Sequence, residues 1–232
     1  MKYKSPLISQ GSGGVAGCVF SHNRFGAYIR NRTVPTNPLG AEQVRVRQIL
    51  AGLATGWLND LTSTQREAWT VYGNNVPKID ALGQTFFSTG LNWYIAVNQP
   101  RLNFNKPRID DAPTIFTHAE LNPVVITGNA GDQEVSVTFN NTDSWAGAVG
   151  GFLYLYIAPP QNQSIFFHKS PFRGWATING AVVPPTSPAV VAATKASPYT
   201  LASGSKLFVR AMAQTSDGRI SPPQIVSGGV SP

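Results

Sequence analysis

The C-terminal half of the chain contains seven short strand-like stretches, each bounded by Gly, Pro, Asn or Asp. In one of them Val135, Val137 and Phe139 alternate with polar residues, a pattern typical of a strand with one buried face. Seven short strands within about 120 residues favour a β-sandwich, which we predict over residues 114–232. The proline-rich stretch 182–189 is expected to be an extended loop. The candidate strands are residues 124–127, 134–139, 151–158, 164–168, 175–178, 206–213 and 224–226.

The residues before this region follow a helical pattern. Apolar residues recur at spacings of one, three and four between positions 49 and 61, which predicts a helix over about residues 41–60. Residues 62–65 have the sequence of a capping box and predict a second helix directly after the first. We expect Trp57 and Trp69 to pack between these two helices.

Ser88 and Thr89 can cap a third helix. The polar segment 106–113 follows it, holds two prolines and marks the end of the charge excess: up to Asp110 there are twelve Lys/Arg and five Asp/Glu, and six of each follow. We interpret this segment as a linker. The predicted organisation is an extended glycine-rich basic arm or β-ribbon (1–38), a helical region (39–105), the linker (106–113) and the β-sandwich (114–232).

The N-terminal segment combines glycines with arginines. Four glycines lie within residues 11–17, and two strand-like stretches follow within residues 15–34. On the second stretch Tyr28, Arg30 and Arg32 share one face, so their side chains would form a clustered basic edge. A two-stranded ribbon is only marginally stable alone, and we expect it to pack on another subunit or on the helices.

No catalytic or metal-binding pattern is present. Cys18 is the single cysteine, and the three histidines are isolated from one another, which excludes the usual ligand spacings of zinc sites. The glycines at residues 11–14 lack the Gly-Lys-Ser/Thr ending of a phosphate loop and precede a strand. We expect no enzymatic activity, no cofactor and no small-molecule substrate. The chain has neither a signal-peptide pattern nor an apolar run long enough to span a membrane, so no membrane partner is expected.

Alternating apolar residues precede an Asp-Gly turn near the C-terminus; the pattern consists of Leu201, Gly204, Leu207, Val209, Ala211 and the turn residues 216–218. It resembles the last hairpin of fibronectin type III domains, although those domains usually carry an inward tyrosine where this chain has Leu207. The resemblance implies an immunoglobulin/fibronectin III-like sandwich. The expected fold class is therefore α+β, with a β-ribbon and a small helical region before that sandwich.

A longer motif covers the N-terminal segment and the second predicted helix: Gly11-Ser-Gly-Gly-x-x-Gly-x-x-Phe20-Ser21-x-Asn23-Arg24-x-Gly26-x-Tyr28-x-Arg30-x-Arg32-x-x-Pro35-x-Asn37-Pro38, then Leu61-Thr62-x-x-Gln65-Arg66-x-Ala68-Trp69. It resembles a family of virion-associated structural proteins of tailed bacteriophages and prophages. The resemblance implies a virion protein made in the bacterial cytoplasm. We expect a capsid decoration or a neck or tail accessory protein that forms homo-oligomers and contacts other virion proteins. The expected assembly residues are Gly11, Gly13, Gly14, Phe20, Arg24, Tyr28, Arg30 and Arg32.

Two alternatives remain open at this point. Aromatic residues interleave with arginines in the basic arm, so the same residues could stack on bases and contact phosphates of a nucleic acid. The sandwich could instead be a carbohydrate-binding adhesion module, with Trp145, Trp175 and Tyr156 exposed for stacking on sugars.

Overall fold

The computed structural model describes residues 11–23, 26–34, 36–37, 39–79, 83–192 and 199–232. Within them the protein is a mixed α and β structure, mostly β, with three α-helices. The sequence-based prediction is confirmed at this level. The chain divides into two units, Met1–Val44 and Arg45–Pro232. None of the helices in the described residues is long and apolar enough to cross a membrane.

The first unit contains a three-stranded antiparallel sheet. Its strands, in hydrogen-bonded order, are β1 (Gly13–Val15), β2 (Cys18–Asn23) and β3 (Gly26–Asn31). The turn between β1 and β2 consists of Ala16 and Gly17, whose φ angles are 45° and 82°. Positive φ at both central residues is the geometry of a tight hairpin turn, and glycine adopts it without strain. The backbone N–H of Arg32 donates a 2.7 Å hydrogen bond to the Gly17 carbonyl, so the chain after β3 is tied to this turn.

Three helices occupy the middle of the chain: α1 (Ala41–Asn59), α2 (Ser63–Asn75) and α3 (Gly90–Asn103). The predicted capping box is confirmed. The Thr62 hydroxyl accepts a hydrogen bond from the Gln65 N–H, and the Gln65 side-chain oxygen accepts one from the Thr62 N–H. Thr89 caps α3 by accepting from the Asn92 N–H. Both caps satisfy backbone donors that a helix start leaves without partners.

The core of the helical region is aromatic. Trp69 and Tyr72 on α2 and Trp93 and Tyr94 on α3 are all buried. Their rings meet edge to face with centroids 5.2 to 6.0 Å apart, an arrangement that aromatic quadrupoles favour. Ile220, from the C-terminal β region, belongs to the same cluster. The C-terminal β region therefore contributes a residue to the core of the helical region.

Helix α1 is packed less deeply than the sequence suggests. Trp57 is half-buried and its ring lies 5.6 Å from that of Tyr94. Of the two tryptophans expected between the helices, Trp69 alone is fully enclosed. A short hairpin of β4 (Lys78–Ile79) and β5 (Thr85–Phe86) connects α2 to α3.

The C-terminal region forms one eight-stranded sheet. Its strands are β6 (Val125–Asn129), β7 (Glu134–Thr138), β8 (Phe152–Ile157), β9 (Gln161–Asn162), β10 (Arg173–Asn179), β11 (Ala189–Ala192), β12 (Ser205–Gln214) and β13 (Gln224–Ser231). The order is β10-β8-β12-β13-β6-β7-β11, with β9 paired to the start of β12. The β13–β6 pairing is parallel, and the other strand pairs are antiparallel.

One sequence-based assignment in this region was wrong. Residues 164–168 are not a strand, because the Asn162 side chain accepts a hydrogen bond from the Ser164 N–H and turns the chain before a ladder can form. The expected loop is confirmed for residues 182–188, which contain no strand. Its last residue, Ala189, begins β11, which pairs with β7.

Alternate side chains along the strands point to one face of the sheet and form its core. Val135 and Val137 on β7, and Leu207 and Val209 on β12, are fully buried in one cluster. Strand β8 differs because all six of its residues are buried. Its second face carries Phe152, Tyr154 and Tyr156, which pack against partly buried Phe104, Phe172 and Met212.

The segment expected to be a linker is packed on the helices. The N–H and carbonyl of Ile109 both bond to the side chain of Asn98 on α3, each at 2.8 Å. The Trp69 indole N–H donates to the Asp110 carbonyl at 2.8 Å, and the Arg101 Nε donates to the Pro107 carbonyl at 2.6 Å. The polar composition of residues 106–113 suggested a linker. In the structure, side chains of the helices form hydrogen bonds with backbone groups of this segment and hold it in place.

Candidate functional site

The sheet of the first unit holds most of the residues expected to make assembly contacts. Gly13 and Gly14 lie on β1, Phe20 on β2, and Tyr28 and Arg30 on β3. Gly11 and Arg32 flank the sheet. Arg24, the remaining expected residue, lies outside the described residues, as does the neighbouring Phe25.

The strand register decides which of these side chains share a face. Val19 is paired with Arg30, Phe20 with Ile29 and Ser21 with Tyr28. Directly paired residues lie on the same face and successive residues on opposite faces. Tyr28 and Arg30 therefore lie together, as the sequence predicts, but Phe20 lies on the other face. The expected interleaving of Phe20 with Arg30 is wrong, because the pairing register of β2 and β3, which a single strand does not reveal, places them on opposite faces.

The arginine side chains on this sheet are exposed. Arg30 and Arg32 are both exposed, whereas Tyr28 is half-buried. The three ion pairs among the described residues involve Arg108 and Arg219, not these two arginines. Within the part of the chain that is described, the two guanidinium groups are thus not neutralised by a carboxylate. An anionic surface could contact them without displacing an internal ion pair.

The first unit lacks a buried core in the residues that are described. None of the described residues between positions 11 and 44 is buried, and the three clusters of buried side chains consist of residues from Leu53 onward. Apolar burial is the main favourable term in folding, and two or three strands without it are only marginally stable. A partner surface that covers this sheet would supply the missing burial.

A shallow groove lies on the same sheet. It has a volume of about 400 Å³ and is lined by Gly11, Ser12, His22 and Ala27. Among its described lining residues, a single imidazole and small side chains provide neither paired carboxylates nor a nucleophile with a base. Among the described residues there is also no group of three or more His, Cys, Asp or Glu that could hold a metal ion.

Buried polar residues in the second unit have a structural role. The Gln214 side-chain oxygen accepts from Arg101 Nη1 at 3.2 Å and from the Tyr154 hydroxyl at 2.7 Å. Its amide nitrogen donates to the carbonyls of Val97 and Gly218. Burial lowers the pKa of Arg101 and raises the pKa of Tyr154. The network joins α3 to β12 and fills the hydrogen-bonding capacity of Gln214.

Sequence reasoning missed these residues, although a signal was present. Asn98 and Arg101 lie three residues apart, next to Tyr94 and Val97 on the buried side of α3. Polar residues on the apolar side of a helix indicate buried partners.

The three aromatic residues considered for sugar stacking are enclosed. Trp145 is 0% exposed, Trp175 3% and Tyr156 4%. The expectation that they are exposed was wrong. Trp175 on β10 and Tyr156 on β8 occupy strand positions whose side chains point into the protein, and Trp145 lies in a turn but is also buried. They offer no ring face to a carbohydrate.

No protein-family profile and no curated protein matches the sequence. Among solved structures, the chain is similar to the adhesin domain of Epf from Streptococcus pyogenes, with 13% sequence identity and a TM-score of 0.32. The alignment covers 50% of this chain and 33% of that structure, so the chain spans about a third of it. A TM-score this low does not establish a shared fold.

Proposed function

We propose that this chain is a non-enzymatic structural protein of a bacteriophage virion, either a capsid decoration or a neck or tail accessory. It acts as a homo-oligomer that also contacts other virion proteins. The N-terminal motif that resembles phage structural proteins supports this proposal, as does the three-stranded sheet on which the motif lies.

The observation that carries the proposal is the absence of buried residues in the described part of the first unit. Strands β1 and β3 are the edges of its sheet, and an edge strand leaves one row of backbone N–H and C=O groups for another strand. A strand from a neighbouring subunit would pair with β3 and extend the sheet, and the body of that subunit would cover one face of it. Arg30 and Arg32 would then contact carboxylates of that neighbour.

The test compares two double variants of the full chain. In Arg30→Glu/Arg32→Glu the charge is reversed, and in Arg30→Lys/Arg32→Lys it is kept. We expect rings or filaments of the unmodified protein in electron micrographs, retention of these assemblies in the lysine variant, and their loss in the glutamate variant. A monodisperse monomer of the unmodified protein, or assemblies that survive charge reversal, would contradict the proposal.

A deletion tests the same segment in the particle. Phages that encode a chain without residues 1–35 should lack the protein in purified virions, while the purified truncated protein keeps the circular dichroism of a folded β region. Incorporation of the truncated protein at the normal level would rule out the N-terminal segment as the attachment device.

Nucleic acid is the competing partner for the two exposed arginines. If they contact phosphates, affinity for DNA should fall steeply between about 50 and 200 mM salt, because each contact releases a bound counterion. We expect no such salt-dependent binding. A steep salt dependence that disappears in the glutamate variant would favour the nucleic-acid function instead.

We also propose that the β-rich region is a variant of the immunoglobulin/fibronectin III sandwich. The inward positions of β12, Leu207, Val209 and Ala211, are fully buried, as the hairpin resemblance predicts. An experimental structure whose strand connections differ from those of that fold would refute this assignment.

A further inference from the structure

A loop between β8 and β10 exposes large apolar side chains. We define the aromatic loop as residues 163–168. Phe166 is 86% exposed, Phe167 72% and Ile165 38%. Isolated exposed apolar residues are common, but three consecutive ones with two phenylalanines form a patch of the kind that marks an interaction site.

The aromatic loop is held in place on both sides. At its start, the Ser164 N–H and hydroxyl both donate to the Asn162 side-chain oxygen at 3.0 Å. At its end, the His168 ring stacks on Phe208, with centroids 5.6 Å apart, and meets Phe172 edge to face at 5.3 Å. The two exposed phenylalanines are therefore presented by a loop whose ends are anchored on the sheet.

Two lysines lie next to the aromatic loop. The Lys206 ammonium lies 4.7 Å from the centroid of the Phe166 ring, and exposed Lys169 follows the loop directly. Neither lysine takes part in the ion pairs among the described residues. Residues 144–216 contain five Lys/Arg and no Asp/Glu. The two lysines at the aromatic loop are thus not offset by any carboxylate within this stretch of sequence.

The preceding part of the chain has the opposite charge. Residues 111–143 contain five Asp/Glu and no Lys/Arg. Two of these carboxylates lie at the β6–β7 hairpin, in the segment 129–134 that we define as the acidic tip. Asp132 is exposed and Glu134 half-buried, and neither is part of an ion pair within the described residues. Asp132 accepts a single neutral hydrogen bond, from Asn129.

The aromatic loop and the acidic tip lie at the same end of the sheet. The strand before the loop, β9, pairs with Ser205 and Lys206 at the start of β12. The Gly204 N–H bonds to the Val230 carbonyl near the end of β13, and the Ala130 N–H in the acidic tip bonds to the Ser231 carbonyl. In the sheet order β12-β13-β6-β7 the two features are separated by two to three strands, or about 10–15 Å at ordinary strand spacing.

We propose that two copies of this chain associate end to end through this surface. Two patches of opposite charge side by side on one surface are self-complementary under a two-fold axis, because each patch meets the other patch of the partner. With the axis near the end of β13, the aromatic loop of one copy lies on the acidic tip of the other. The phenylalanines of both copies are covered in the centre of the contact.

The size of the contact fits this geometry. Two phenylalanines cover about 300–400 Å² of surface, and a standard interface needs about 800 Å² from each partner. The loop thus provides close to half of the area, and the adjoining β12 turn and acidic tip provide the remainder. The inference goes beyond the proposed function, because it places a subunit contact in the second unit and does not require a virion.

Apolar and matched control variants of the full chain test the contact by sedimentation velocity. Phe166→Ser/Phe167→Ser should weaken self-association by about tenfold or more, since these side chains lie at its centre. The control is Val182→Ser/Val183→Ser, which alters residues that are 82% and 81% exposed at the opposite end of β10. It should leave self-association within about twofold. Equal behaviour of the two double variants, or a monomeric unmodified chain, would overturn the proposal.

A charge exchange separates this contact from other modes of association. Lys169→Glu/Lys206→Glu and Asp132→Lys/Glu134→Lys should each weaken self-association, because like charges then meet. An equimolar mixture of the two should associate again, since every contact regains opposite charges. A mixture that stays as weakly associated as its components would refute the contact. Loss of assembly in the Arg30→Glu/Arg32→Glu chain bears on the first unit alone, so this contact and the proposed function can fail separately.

Discussion

The guanidinium of Arg101 on α3 lies 3.2 Å from the side-chain oxygen of Gln214 on β12. Both side chains are buried, and the ring of Phe152 lies 5.1 Å from the guanidinium carbon. The cation is thus held by amide and carbonyl oxygens and an aromatic ring. This contact fastens the helices onto the sheet.

Replacing Gln214 by Leu should destabilise the protein by about 2–4 kcal/mol. The change removes the acceptor of Arg101 and of Tyr154 and leaves both donors buried without it. The measurement is urea unfolding followed by tryptophan fluorescence. Exposed Gln48 on α1 offers a control, because Gln48→Leu should change the unfolding free energy by less than about 0.5 kcal/mol. A loss of the same small size in both variants would mean that the network does not join the helices to the sheet.

Asn98 should hold the segment 106–113 on the helices. Asn98→Leu leaves the Ile109 N–H and carbonyl without their side-chain partner, at a cost of about 2–3 kcal/mol. Hydrogen exchange of the Ile109 amide should become faster than that of the α3 backbone. The control is Asn92→Leu, an exposed position on the same helix. Unchanged exchange at Ile109 would show that the segment is held by other contacts.

Two adjacent glycines on β13 should respond differently to the same substitution. A Cβ at Gly228 would collide with the Ile126 carbonyl oxygen, whereas a Cβ at Gly229 would meet no atom within 4 Å. We expect Gly228→Ala to cost about 3 kcal/mol or more and Gly229→Ala less than about 0.5 kcal/mol. Thermal unfolding of both variants measures the difference. Equal stability would mean that β13 and β6 can separate without loss.

Tyrosine ionisation should destabilise the protein above pH 10. Burial raises the pKa of Tyr72 to about 12, while an unfolded tyrosine has its usual pKa of about 10. The folded state therefore keeps a proton that the unfolded state releases, and this contribution is present below pH 10 and lost as the pH rises towards 12. Absorbance at 295 nm should show the buried tyrosines ionising only together with unfolding, above the pH at which an unfolded tyrosine ionises.

Replacing either of two buried tyrosines by phenylalanine should change the stability at neutral pH in different ways. The Tyr72 hydroxyl is buried without a hydrogen-bond partner among the described residues, so Tyr72→Phe should be neutral or stabilising. It should also move alkaline unfolding to higher pH. Tyr154→Phe removes the hydrogen bond to Gln214 and should cost about 1 kcal/mol. A larger loss for Tyr72→Phe than for Tyr154→Phe would contradict the assignment of partners.

The secondary structure could be predicted best where a local signal is strong. The capping pair Thr62 and Gln65 fixed the start of α2, and the alternation around Val135 located β7. The strand assignment at residues 164–168 failed because aromatic and β-branched residues there favour a strand only when a neighbouring strand is present. In the folded protein the Ser164 N–H donates a hydrogen bond to the Asn162 side chain, and the chain turns there instead of continuing as a strand.

The candidate site was predicted only in part. Alternation along β3 was enough to place Tyr28 and Arg30 on one face, because period two is a property of every strand. The position of Phe20 depended on how β2 pairs with β3, which a single strand does not encode. The exposed pair Phe166–Phe167 was not recognised, since exposure depends on whether another part of the chain covers the loop.

The sequence by itself determined the three helices, the strands with clear alternation, and the charge segregation between residues 111–143 and 144–216. These depend on near neighbours and on composition. Only the tertiary structure decided that Trp145 and Trp175 are enclosed, and that Arg101 meets Gln214 across 113 residues of sequence. Such contacts form when apolar burial brings distant segments together, and buried polar groups then take the partners that this packing provides.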